Sequence, residues 1–129
     1  MSGPAQASAR PLRIIVHGGA WSIPDELKAP NLAACNAAAD AGWAVLAQGG
    51  SAVDAVEAAV RCLEDDPSCD AGRGSWLTAG GDVELDAMIM DGGTPLQAGG
   101  VAAVCVAHPV SLARKVMEQS EHVLLVGEG

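Results

Sequence analysis

The seven residues from Val101 to Ala107, Val-Ala-Ala-Val-Cys-Val-Ala, form an unbroken apolar run rich in valine. A run of this length is a strand rather than a helix, and a strand without a polar side has to be covered on both faces. That requirement points to an α/β chain in layers. Half of the residues are apolar, yet the only aromatic ones are three tryptophans, with no Phe and no Tyr. A core made mainly of Ala and Val needs elements that pack closely.

The neighbouring patterns supply those elements. Leu12 to Val16 is a short β-branched run that reads as a strand entering the glycine loop His17-Gly18-Gly19. An Ala-rich helix is expected from Asn31 to Gln48, stopped by Gly49-Gly50. A second helix starts at Ser51, with Asp54 completing a capping box, and Pro67 ends it. Val53, Val56, Val60 and Leu63 form its expected inner stripe. A strand is expected around Ser75 to Thr78. Asp82 to Met90 alternates, with Val83, Leu85, Ala87 and Ile89 on the buried side and Glu84 and Asp86 on a polar one. Pro109 suits the first turn of a helix ending near Ser120, with Val110, Ala113, Val116 and Met117 inward. His122 to Val126 reads as a last strand.

At 129 residues the chain is one domain or part of one, with residues 1–11 expected as a mobile tail and 12–129 as the folded part. Val126-Gly127-Glu128-Gly129 leaves the last strand with nothing after it, so the domain is expected to be incomplete at its C-terminus. The net charge is −9, which argues against a nucleic-acid partner. No apolar stretch approaches the roughly 18 residues of a membrane span. The first thirteen residues have no signal-like apolar segment, so a cytoplasmic location is expected. Cys35, Cys62, Cys69 and Cys105 have no CxxC spacing; they read as free thiols, with a Cys62–Cys69 disulfide as the alternative.

Four groups of residues bear on chemistry. His17-Gly18-Gly19-Ala20-Trp21 has the look of an esterase oxyanion loop, of a strand-loop in another hydrolase family, or of a plain glycine turn. The esterase reading lacks its G-x-S-x-G elbow. Asp82, Glu84 and Asp86 could form an acid pair or metal site, but alternation explains Glu84 and Asp86 as a solvated face. His17, His108 and His122 have no ligand spacing, and Trp21, Trp43 and Trp76 read as core or loop anchors.

The segments from Gly49 to Val60, Leu63 to Pro67, Ala71 to Ser75, Val83 to Gly92 and His108 to Glu118 complete the picture. In this order and at these gaps they resemble the plant-type asparaginases/isoaspartyl peptidases. The related glycosylasparaginases share the helix opened by Gly49-Gly50-Ser51, while Asp70-Ala71-Gly72-Arg73-Gly74-Ser75 favours the plant type.

The resemblance implies an N-terminal-nucleophile hydrolase with an αββα four-layer sandwich. Such a precursor cuts itself before a threonine, whose freed α-amine then serves as base for its own hydroxyl. The implied substrates are L-asparagine or an isoaspartyl dipeptide. The implied partner is a complementary C-terminal β part, in a heterotetramer of two α and two β parts. No catalytic residue is expected in this chain. Thr78 follows Leu77, and Thr94 is followed by Pro95 in what reads as a turn. His17, Gly18, Gly19 and Asp70 are implied near the active site. Asp70 departs from the family's usual Asn, losing an amide donor and adding a charge. No catalytic cofactor is implied. A structural sodium is implied on the backbone carbonyls of Leu63, Glu64, Asp66, Cys69, Ala71 and Arg73, against the plainer reading of a solvated helix end. The rival function is a non-enzymatic partner of a full-length relative.

Overall fold

In a computed structural model, residues 11–127 of the chain are described. Almost all of the expected tail, together with Glu128 and Gly129, lies outside them. The elements run α1 (Asp25–Ala47), α2 (Ala52–Asp65), β1 (Leu85–Asp91), β2 (Gln97–Val104), α3 (Pro109–Gln119) and β3 (Leu124–Val126). The chain is therefore a mixed α/β structure. Its sheet has the order β1-β2-β3, antiparallel between β1 and β2 and parallel between β2 and β3.

α2 starts as the sequence dictates. The Ser51 hydroxyl accepts from the Asp54 backbone N–H at 3.0 Å, while the Asp54 carboxylate accepts from the Ser51 N–H at 3.2 Å. This reciprocal box satisfies two of the donors that a helix N-terminus leaves free. The α1 stop is also local: Gly49 has φ 82°, and the Gly50 N–H reaches back to the Val45 carbonyl at 2.9 Å. The two helices pack through small residues. A Cβ at Gly42 would lie 2.8 Å from the Ala55 carbonyl oxygen, so only glycine allows this approach.

The core gathers Val53, Ile89, Val101, Val110, Ala113, Val116 and Met117. α3 lies on the sheet so closely that a Cβ at Gly99 would be 2.3 Å from the Ala113 carbonyl oxygen. Its inner stripe is the expected one, and Pro109 opens it. Along β1, Leu85 and Ile89 are buried while Asp86, Met88 and Met90 face away.

Several expectations need correction. α1 begins at Asp25, not Asn31, and carries Pro30 within its second turn, where one hydrogen bond is forfeited without breaking the helix. Val56 is exposed, because Ala55 and Ala59 occupy the α2 side facing α1. Residues 12–16 carry no regular structure and pair with no described strand; Ile14 packs on Gly42 instead, and Ile15 is 94% exposed. Residues 75–78 form no strand and end in a turn closed by Thr78 and Asp82.

The apolar run itself is paired only through Val104, with β2 starting four residues earlier at Gln97. Within the described residues one face of it is covered. α3 shields the side carrying Gly99 and Val101, while Met88, Met90, Leu124 and Val126 leave an apolar surface on the other. A bulge ends the β1–β2 ladder, where the Asp86 carboxylate accepts from the N–H of Ala103, a residue with φ 53°. The segment after Val104 leaves the ladder, and Cys105 to Ala107 are exposed.

Candidate active site

The glycine loop is built by two constraints. Gly19 has φ 98°, a region that side chains disfavour, and its N–H donates to His17 Nδ1 at 3.1 Å. That bond makes Nδ1 the acceptor and leaves the ring proton on Nε2. Gly18 lies against Cys35, whose sulfur would be 2.6 Å from a Cβ at that position. The α1 helix thus supports the loop from below.

The second wall comes from the turn after α2. Arg73 N–H donates to the Glu64 carbonyl at 2.9 Å, and the Asp70 carboxylate accepts from the Trp76 N–H at 3.1 Å. Gly72 and Gly74 fit tightly against the carbonyls of Glu64 and of Pro67 and Cys69. This coil holds Cys69 buried, and burial pushes its thiol pKa up. At the start of the turn, hydrogen bonds from the Ser68 side chain and backbone hold the Asp66 carboxyl below its usual range.

Together the two walls enclose a cavity of about 400 Å³, lined by His17, Gly18, Gly19, Trp21, Asp70 and Trp76 among others. All four residues expected by resemblance near an active site therefore meet at one cavity. The tryptophans are not core anchors: Trp21 and Trp43 are 46% exposed and Trp76 is 77% exposed. Neither threonine lines this cavity. Thr94 is exposed in the β1–β2 turn, where Gly93 N–H donates to Asp91, and Thr78 Oγ1 accepts from the Asp82 N–H. Asp82, Glu84 and Asp86 do not assemble a metal site; no group of three potential His, Cys, Asp or Glu ligands exists among the described residues.

The six carbonyls implied for sodium divide in two. Those of Leu63, Glu64 and Asp66 accept from Asp66, Arg73 and Cys69 N–H groups. Those of Cys69, Ala71 and Arg73 accept from no backbone N–H among the described residues. Neutral oxygens of this kind suit a hard cation rather than a thiophilic one.

A residue whose side chain the sequence did not single out joins this turn to α3. The Glu64 side chain is 2% exposed; Oε1 accepts from the Val110 N–H at 2.9 Å, and Oε2 lies 3.2 Å from His108 Nδ1. Burial raises its pKa despite these partners. The contacts span 44 and 46 residues, so no local pattern could reveal them. The only signal was an acidic residue at an inward helix position. Arg114 of α3 bridges Asp54 and Glu57 of α2 and Glu118 of its own helix, each at 2.7 Å. All four cysteines are free, so the Cys62–Cys69 disulfide is not formed.

A family profile described as asparaginase matches residues 10–129. The chain is 55% identical over 118 residues to a plant-type L-asparaginase of Pyrococcus abyssi, covering 90% of this chain and 38% of that protein. It is 50% identical over 117 residues to an isoaspartyl peptidase/L-asparaginase of Danio rerio, covering 90% of this chain and 37% of that one. A rat protein of the latter name is 52% identical over 123 residues, with 92% and 36% covered. The chain thus spans little more than a third of the length of these relatives. With this match over nearly its whole length, the chain belongs to the asparaginase family.

Proposed function

We propose that this chain is the N-terminal part of an asparaginase/isoaspartyl peptidase, folded in the whole protein as an αββα sandwich. The carrying observation is the cavity where His17, Gly18, Gly19 and Asp70 converge with no Ser or Thr in the lining, its one thiol, Cys69, being buried with a raised pKa. Such a half-site has hydrogen-bonding backbone and a polar wall but no hydroxyl to attack a carbonyl. In this reading a threonine from the remaining part of the protein completes it. The freed α-amine of that threonine takes the hydroxyl proton, and the oxygen attacks the side-chain amide of asparagine or of a β-aspartyl peptide. The glycine loop and Asp70 shape the cavity around that reaction.

The open sheet face fits the same reading. Met88, Met90, Leu124 and Val126, between 54% and 71% exposed, form an apolar surface of the kind that a second sheet covers. The turn from Leu63 to Arg73 would hold a sodium ion on the carbonyls of Cys69, Ala71 and Arg73, with those of Leu63, Glu64 and Asp66 using their second lone pairs. The ion would supply rigidity, not chemistry. No described helix is long and apolar enough to cross a membrane.

Ammonia release from asparagine and aspartate release from a β-aspartyl dipeptide test the proposal. The full-length protein is expected to catalyse at least one, and residues 1–129 alone neither. A full-length protein without either activity would favour the rival, a non-enzymatic partner of an active relative.

A further inference from the structure

The chain has only three aromatic residues, and two of them line the same cavity. Trp21 and Trp76 stay 46% and 77% exposed there while the core is built from Ala and Val. Large apolar side chains left exposed at a cavity that also carries a carboxylate suit contact with a ligand. Asp70 lines the same cavity, with Oδ1 taken by the Trp76 N–H and Oδ2 accepting no hydrogen bond among the described residues. No Lys or Arg lines the cavity. His17, the one lining group able to become cationic, uses Nδ1 to accept from Gly19.

Indole faces attract cations through their ring quadrupole, and a carboxylate with a free oxygen adds a hydrogen-bonding counter-charge. We infer that Asp70, Trp21 and Trp76 form a cation-recognising subsite for the leaving group of a β-aspartyl substrate. The occupant is the side-chain ammonium or guanidinium of the residue that follows the scissile bond. Free asparagine offers nothing to this subsite, since its leaving group is ammonia. A lysine- or arginine-bearing β-aspartyl dipeptide fills it.

The substrate assignment rests on the hydrolase reading above; the cation site itself does not. The first arm compares β-aspartyl-lysine with β-aspartyl-norleucine, which keeps the aliphatic stem and lacks the ammonium, on the full-length protein. kcat/KM is expected to favour the lysine dipeptide by about tenfold. Trp76→Leu and Asp70→Asn should each bring the two substrates within about twofold of one another, with folding checked by melting temperature. Equal kcat/KM for both dipeptides in the unaltered protein would overturn the inference while leaving the hydrolase reading intact.

The second arm needs no catalysis. Tryptophan emission is titrated with N-acetyl-lysine amide and with N-acetyl-norleucine amide. A change specific to the lysine compound, weakened by Asp70→Asn or Trp21→Leu, supports the subsite even in a protein that hydrolyses nothing. The same response to both compounds, or none to either, refutes it.

Discussion

Replacing Glu64 tests how the cavity wall is fastened to the rest of the fold. In Glu64→Ala, the Val110 N–H loses its partner at 2.9 Å, and Val110 is only 2% exposed, so water cannot replace it. An orphaned buried donor costs about 1–3 kcal/mol. The space left by the carboxylate and one methylene adds about 1 kcal/mol. Against this, the variant no longer buries a carboxylate whose pKa is raised by that burial. The net expectation is a loss of about 2–3 kcal/mol in unfolding free energy. Glu64→Gln keeps an oxygen for Val110 and turns its amide toward His108, so its loss should be about 1 kcal/mol or less. Urea unfolding of the full-length protein, followed by circular dichroism, measures both. An alanine variant within about 0.5 kcal/mol of the parent, or a glutamine variant as weak as the alanine one, would show that Glu64 does not fasten the wall in this way.

Three further outcomes follow from the same geometry. Exchanging sodium for tetramethylammonium, too large for a ring of carbonyls, should lower the melting temperature of the full-length protein; an unchanged curve counts against the cation at residues 63–73. Asp70→Asn should speed self-cleavage or asparagine hydrolysis, because an amide donor replaces a negative charge beside the cavity, and an unchanged or lower rate measured by ammonia release would reject this. At Glu57, burial opposes ionisation but the Ser111 hydroxyl and Arg114 outweigh it, so the folded carboxyl titrates below its ordinary 4.5. Its stabilisation is therefore present above that value and lost as pH falls below it, and Glu57→Gln should flatten the acid side of a stability-versus-pH curve.

What the sequence made legible was local. The Ser51–Asp54 box, the glycine stop after α1, the alternation in β1 and the stripe of α3 each depend on residues a few positions apart. What it hid depends on distant partners. Residues 12–16 have strand composition, yet pairing needs a neighbouring strand, and none of the described ones lies beside them. Gly99 and Gly100 belong to a strand because α3 and β3 approach them closely, a fact written in no local pattern. The site divides along the same line. His17, Gly18, Gly19 and Asp70 were placed through family resemblance, and they do meet at one cavity. That the tryptophans stay outside the core could not be read from residue type, since exposure depends on what packs around them. The Glu64 side chain escaped notice because its partners lie more than forty residues away.

In the proposed function the attacking threonine comes from outside these 129 residues. Intact-mass analysis and N-terminal sequencing of the purified full-length protein test it most directly. Two fragments are expected: one containing all of residues 1–129, the other beginning with a threonine that follows a glycine downstream. A full-length protein that turns over asparagine or a β-aspartyl dipeptide while uncleaved, or after cleavage between Gly93 and Thr94, would contradict it.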